Sequence, residues 1–361
     1  MRRVADDGRV SGGSVLPPLP TGLGFLEQDP PFYPPIRQAL NPWFTAAAVA
    51  ERRPRLDELA SALLDQHVES GRVDMLDDLI RPLAGITTLE LLGLPLDGLA
   101  KFAFPLHDSD HDFTKPDGYR RAWDRVKDHI RLELAARRVE GRTRGDLIEV
   151  LRTLEVLGEP LSEEFVVESV LLLLVGGVET VAGAFGGAIV HLNSHLDHRR
   201  RLIDDPALLP TAFEEYVRYI SPTTQNARTA VCDFELAGQP IAAGDVVYFN
   251  LFAANHDERE FDRPGDVVLD RSPNRHLGFG TGLHRCIGAH LAREMWVAMM
   301  AQVLGRIPDF AVDARRVEWF AVCGTSNGCT SLPATFGPAP RRPASETVRR
   351  DVEAAQRSRL R

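Results

Sequence analysis

The stretch Phe279-Gly280-Thr281-Gly282-Leu283-His284-Arg285-Cys286-Ile287-Gly288 leaves this chain little freedom, because it holds three glycines, a histidine and a cysteine within ten residues. A loop this rich in glycine is not a regular element, and its glycines let the backbone take positive φ and approach something flat and large. The apolar, alanine-rich segment from Ala289 to Leu304, followed by Gly305 and Pro308, predicts a helix with stop signals at its end. Cys286 therefore sits at the mouth of a helix, where backbone amides and the positive end of the dipole converge. That setting is expected to lower the thiol's pKa and favour the metal-binding thiolate. The residues alone leave two other readings open: a glycine-rich turn around a buried free cysteine, and a zinc site built from His276, His284 and Cys286. Zinc sites favour four ligands, often as C-x-x-C pairs, and the chain has no such pair.

With 361 residues, 44% hydrophobic and 26% charged, the chain suits one large or two fused globular domains with a substantial core. A net charge of −9 argues against general nucleic-acid binding. Met1 to Val10 is polar and charged, with no secretory or anchoring apolar run. Cys232, Cys286, Cys323 and Cys329 then read as reduced cytoplasmic thiols rather than a disulfide framework.

In chain order, residues 1–28 are rich in Gly, Pro and Ser and predict loop, partly disordered. Helical spacing of leucines marks Ala47–Val68 and Val73–Leu92, the second stopped by Gly93 and Pro95. Gly118–Val139 predicts an amphipathic helix, and the charge run Arg137–Arg144 a solvated helix end. Ser162-Glu163-Glu164 caps a long helix that is apolar from Val170 to Val190 except at Glu179 and Thr180. Its length would span a bilayer, but a carboxylate near its centre costs roughly 2.5–3.5 kcal/mol on insertion scales, so no membrane span is expected. Glu215 and Arg218 share one helix face. Thr229–Leu236 and Ile241–Phe249 read as strands, Phe310–Phe336 as short strands with a turn near Asn327 and Gly328, and 338–361 as a basic disordered tail with seven arginines against three acids.

The cysteine stretch fills every specified position of F-G-x-G-x-H-x-C-x-G and so resembles the haem-ligand loop of the cytochrome P-450 family. Four other stretches fit in order: Asp29-Pro30-Pro31 with Arg37, then Gly176-Gly177-Val178-Glu179-Thr180, then Glu215-x-x-Arg218, then the meander 255–264. The resemblance covers about 29–337, read as the monooxygenase domain, and looks nearest to the soluble bacterial camphor-hydroxylase branch. It implies a mostly α fold with a minor β region and one haem b between the long distal helix and the cysteine loop. Cys286 would be the axial ligand. Phe279, Gly280 and Gly288 would shape its loop; Gly176 and Gly177 would let the porphyrin lie flat. Arg37, Arg228, His284 and Tyr33, which stands where a histidine is usual, would meet the propionates. Glu179 and Thr180 would deliver protons to iron-bound oxygen, and Glu215, Arg218 and Arg271 would form a structural ion cluster.

The activity implied is insertion of one oxygen atom of O2 into a small apolar organic substrate. Electrons would come from a separate acidic iron–sulfur ferredoxin with its reductase, since no G-x-G-x-x-G follows a strand here. Arg37, Arg275, Arg285 and Arg293 would form its docking patch. Relatives carry further elements before D-P-P, where only 28 loop-like residues stand here. An incomplete lid and an unpaired sheet edge are therefore expected, with a decayed or non-catalytic haem protein, or a peroxide-using oxygenase, as the competing readings.

Overall fold

The computed structural model describes residues 10–11, 22–105, 116–141, 143–319 and 326–357. The expectations for 1–9, for Pro17–Pro20 and for Cys323 fall outside these residues. The described chain is mostly helical, with five short antiparallel sheets among the described residues.

Its axis is the helix Glu163–Ser194, 32 residues long, or about 48 Å at 1.5 Å per residue. Ser162 caps it by accepting the Phe165 amide at 3.2 Å. Buried positions run along it from Val166 to Leu192, so it is a core helix enclosed by protein, although its length and hydropathy would also suit a bilayer. On one side packs Arg81–Leu92, ended by Gly93 in the left-handed region at φ 66°. On another pack Leu209–Ile220 and, behind it, Ala289–Arg306. Trp296 fills that junction: its ring lies 5.0 Å from Phe185 and 5.3 Å from Phe213, and its Nε1–H donates to the Leu209 carbonyl at 2.9 Å. The helix Pro116–Glu140 crosses the first half of the axial helix.

Four expectations need correction. The predicted helix Val73–Leu92 begins later, because Arg72–Asp74 is a strand paired with Pro333–Thr335 and the Asp74 carboxylate caps the turn that follows. The strand Gln225–Ala230 is not left wholly unpaired on its second edge: it pairs with Val246–Asn250 on one side, and on the other Val10–Ser11 covers Thr229 and Ala230. Within the segment expected to be loop, Gly24–Glu27 is a turn of 3-10 helix with Phe25 buried. The tail expected to lack structure carries the helix Glu346–Arg357. Val348, Val352 and Ala355 bury one stripe of it, and Asp351 meets Arg55 at 2.6 Å. Its arginines lie mainly on the solvent face, so charge composition alone hid an amphipathic helix.

Candidate functional site

The cysteine loop is a tight structure without regular geometry. Gly280 and Gly282 take φ of 67° and 72°, which only glycine adopts freely. Those two bends let the Cys286 amide donate back to the Phe279 carbonyl at 2.8 Å, closing the loop on itself. Gly288 then stands at the N-cap of Ala289–Arg306.

Behind the loop lies an ion cluster. Glu215, on Leu209–Ile220, is fully buried and accepts two hydrogen bonds from Arg218 at 2.8 Å. It also accepts from Arg271 at 2.9 Å, from the Val268 amide at 2.8 Å and from Asn274 at 3.1 Å. The remaining Arg218 donors reach the carbonyls of Asn255, Pro264 and Asp266 at 2.8–2.9 Å. Apart from Arg218, which shares its helix, the donors to Glu215 come from the irregular segment 268–274, and Arg218 in turn holds carbonyls of 255–266, so the pair fixes irregular backbone that has no ladder of its own.

Two partners escape a motif reading. Asn255, fully buried, accepts the Leu277 amide at 2.7 Å and donates to Ser221 Oγ at 2.9 Å. Glu214, next to the expected glutamate, binds His276 at 3.0 Å and Arg293 at 2.6 Å. Burial works against its charge, yet those hydrogen bonds outweigh it and hold its pKa at about 2. His276 thus faces a carboxylate rather than Cys286, which removes the zinc reading. Arg293 is likewise engaged and lies 4.8 Å over the Phe279 ring; of the expected docking patch, Arg275 and Arg285 are exposed.

In front of the loop is a largely apolar cavity of about 270 Å³. Cys286 is exposed, and what it is exposed to is this cavity. Protein surrounds it elsewhere, and burial pushes the thiol's pKa up. The Gly288 amide and the charges of Arg37, Arg285 and Arg293 pull it down without offsetting burial. The sequence expectation of a lowered pKa is therefore corrected: helix-end amides are outweighed by desolvation.

Gly176, Gly177 and Thr180 of the axial helix line the same cavity as Cys286. Thr180 Oγ1 donates back to the Gly176 carbonyl at 3.2 Å, the bond that loosens a helix from within. Glu179 beside it is buried. The two glycines differ. A Cβ at Gly176 would meet nothing within 4 Å, whereas one at Gly177 would stand 2.4 Å from Thr88 Oγ1. Gly176 opens the cavity, and Gly177 lets Arg81–Leu92 approach. The turn at Asn327 donates through its backbone amide to the Pro222 carbonyl at 2.9 Å and lays its carbonyl against Gly183.

At one edge of the cavity stand Tyr33, Arg37 and His284, with Arg228 beside them. Pro34 and Pro35 fall in the first turn of Tyr33–Leu40, where the missing N–H groups cost nothing, and Arg37 follows one turn later. Tyr33 is buried, donates to the Leu283 carbonyl at 3.0 Å and lies 4.3 Å from the His284 ring. Arg37 bonds only neutral oxygens among the described residues, Asn41 Oδ1 at 2.8 Å and the Tyr33 hydroxyl at 3.4 Å. Burial, then the charge of Arg228, holds the His284 pKa at about 4, and its Nδ1 is buried without a hydrogen-bond partner among the described residues. Burial also lowers the pKa of Arg228. A buried orphan nitrogen and two guanidiniums suit an acidic group at that edge. With a thiol on one wall and a bare glycine on the other, the donor set fits a flat metal macrocycle that carries carboxylates.

Comparison with known proteins agrees. Residues 114–308 match the family model described as Cytochrome P450. The chain is 32% identical over 341 residues to a steroid C26-monooxygenase of Mycobacterium tuberculosis, covering 91% of this chain and 90% of that one. It is 31% identical over 304 residues to the polyketide biosynthesis cytochrome P450 PksS of Bacillus subtilis, covering 81% and 73%. Among solved structures, CYP109E1 of Bacillus megaterium in complex with testosterone superposes with a TM-score of 0.85 at 25% identity, covering 93% of this chain and 90% of that one. A mutant of P450 EryK in complex with erythromycin B gives 0.85 at 27% identity, covering 95% and 90%.

Proposed function

This chain belongs to the cytochrome P450 family of oxygen-incorporating oxidoreductases, and from that premise we propose that it oxidises a small apolar organic substrate held between Thr180 and Cys286. The family's cofactor is haem b, which when bound supplies O2 activation and oxygen transfer.

The residues around it have separable tasks. Cys286 would hold the iron as thiolate, since a coordinating thiol is deprotonated outright whatever its free pKa. The buried cluster of Glu215, Arg218 and Arg271 keeps the Cys286 loop in position. Arg37, Arg228 and His284 would hold the carboxylates, with Tyr33 orienting Arg37 and His284. Gly176 leaves room over the ring plane. Thr180 would hold a hydroxyl proton at the loosened turn of the helix, and the buried acid Glu179, its neighbour in the chain, would replenish it. Leu172, Leu173, Leu291 and Met295 exclude water and favour an apolar substrate. The steroid, polyketide and macrolide names among the relatives support that class.

Electrons come from a separate protein, for which a ferredoxin with its reductase is the proposed type, docking near exposed Arg275 and Arg285. Enclosure of the apolar helix within the fold supports a cytoplasmic location. Against a non-catalytic haem protein stand Phe25 and Leu26, which wall the cavity from the segment ahead of D-P-P.

One observation carries this reading: Cys286 and Thr180 line one apolar cavity with cationic donors gathered at its edge. The test is turnover of an apolar substrate panel under isotopically labelled O2 with a surrogate ferredoxin system. One labelled oxygen in the product supports it. Reduction of the haem with no labelled product from any substrate would favour the non-catalytic reading.

A further inference from the structure

The Gly24–Glu27 turn belongs to no motif, yet Phe25 and Leu26 are part of the cavity wall. Its seat is the axial helix. Gly24 takes φ 53°, and a Cβ there would stand 2.5 Å from Ser169 Oγ and 2.6 Å from the Ser169 nitrogen. Ser169, Leu172, Leu173, Gly176 and Thr180 follow at helical spacing on one stripe, and all but Ser169 line the cavity. The turn thus sits over that stripe, about 16 Å along the axis from Thr180.

At its end, Glu27 folds back to accept the Leu23 amide at 3.1 Å. Burial raises its pKa; the Leu23 amide lowers it, Glu168 raises it, and Lys127 lowers it. Lys127 comes from Pro116–Glu140 with a side chain only 5% exposed, and its Nζ donates to Glu164 and Glu168 at 3.3 Å each. Arg131, one turn later, takes Glu164 from the solvent side at 2.9 Å. Gly22 lies against the Glu168 carboxylate, where a Cβ would come within 2.7 Å. The Lys127 ammonium joins the crossing helix to the axial helix through Glu164 and Glu168. It reaches the turn through Glu168, against which Gly22 lies, and through its charge, which Glu27 feels together with that of Glu168.

Building on the proposed function, we infer that Lys127 is a positioning residue for the substrate cavity. It holds the Gly24–Glu27 turn down on the axial helix, and so sets the wall at Phe25 and Leu26 and the rate at which molecules enter. Without the ammonium, two partly buried carboxylates repel each other and lift the turn from its seat.

The experiment compares Lys127→Met, Lys127→Arg and Gly24→Ala in the haem-loaded protein, by stopped-flow binding of imidazole to the haem and by amide hydrogen exchange. Lys127→Met raises the imidazole on-rate roughly three- to tenfold, a change worth about 0.7–1.4 kcal/mol in the barrier, and speeds exchange at Leu23–Glu27. Lys127→Arg restores both. Gly24→Ala lifts the same turn from its other end, so combining it with Lys127→Met adds little, as for coupled sites. Unchanged on-rate and exchange in Lys127→Met would overturn the inference. So would full additivity with Gly24→Ala, or faster exchange spread through Pro116–Glu140 with the on-rate unmoved. If the wild type shows no imidazole-induced spectral change, the haem reading fails instead, and exchange, which needs no haem, still decides the role of Lys127.

Discussion

On the Cys286 side of the cavity, irregular backbone is held by buried charge: one carboxylate, Glu215, gathers Arg218, Arg271, Asn274 and the Val268 amide. On the Thr180 side, regular helix is held by close contact, with Gly177 on Thr88, Gly183 on Asn327 and Gly187 on Ile220. The first wall needs a fixed position for a single sulfur and has no ladder of backbone hydrogen bonds, so charge-assisted bonds replace one. The second already has its backbone satisfied within the helix and needs only shape, so glycine supplies both the packing and the opening. The Cys286 side of the cavity is thus sensitive to loss of charge, and the Thr180 side to added volume.

The comparison breaks most visibly at Glu215. Glu215→Ala strands two buried guanidiniums and is expected to cost about 3–5 kcal/mol, measured by chemical denaturation, with loss of haem uptake. A cost near that of an exposed substitution would mean the cysteine loop stands without the cluster.

The glycine pair sharpens it. Gly177→Ala drives a methyl onto Thr88 and is expected to cost about 1–3 kcal/mol. Gly176→Ala meets no protein atom and gains helix propensity worth up to about 1 kcal/mol, while narrowing the cavity and weakening ligand binding. Similar melting temperatures for the two variants would contradict the division of labour. Thr180→Ala tests the open wall chemically: stability changes by about 0.5 kcal/mol or less, while product formed per electron falls and peroxide rises. Equal product per electron in mutant and wild type would remove the proton role.

The smallest effect lies at the far end of the axial helix. Burial, then the charges of His195 and His198, holds the His191 pKa at about 4. As pH falls from about 6.5 toward 4, the unfolded chain takes up a proton there that the folded chain refuses, so stability falls with falling pH. The loss from this group across that range is about 1 kcal/mol after solvent screening, and His191→Gln should remove it in denaturation curves taken between those pH values.

The two walls were unequally legible in the sequence. Cys286, His284 and the Glu215–Arg218 pair stand at fixed spacing, and Arg271 follows from their order, so the charged wall was readable as motifs. Asn255 and Glu214 escaped because a lone amide in a meander and a second acid beside an expected one carry no pattern. On the apolar wall, Gly176-Gly177 and Thr180 were readable as a group, but the different neighbours of the two glycines were not, since Thr88 comes from a helix far away in sequence. Phe25 and Leu26 were hidden for the same reason: a two-residue patch between glycines and prolines has no period. The tail helix did have one, in Val348, Val352 and Ala355, and its arginine content masked it.

The central claim is that Cys286, carried on the charge-held loop, is the ligand facing Thr180. The reduced, carbon monoxide-bound absorption spectrum tests it most directly, because a thiolate-ligated haem absorbs far to the red of a histidine-ligated one. The red-shifted band is expected in the wild type, and its loss in Cys286→Ser with haem still bound. A wild-type band at the histidine-ligated position, or a red-shifted band that survives Cys286→Ser, would contradict it.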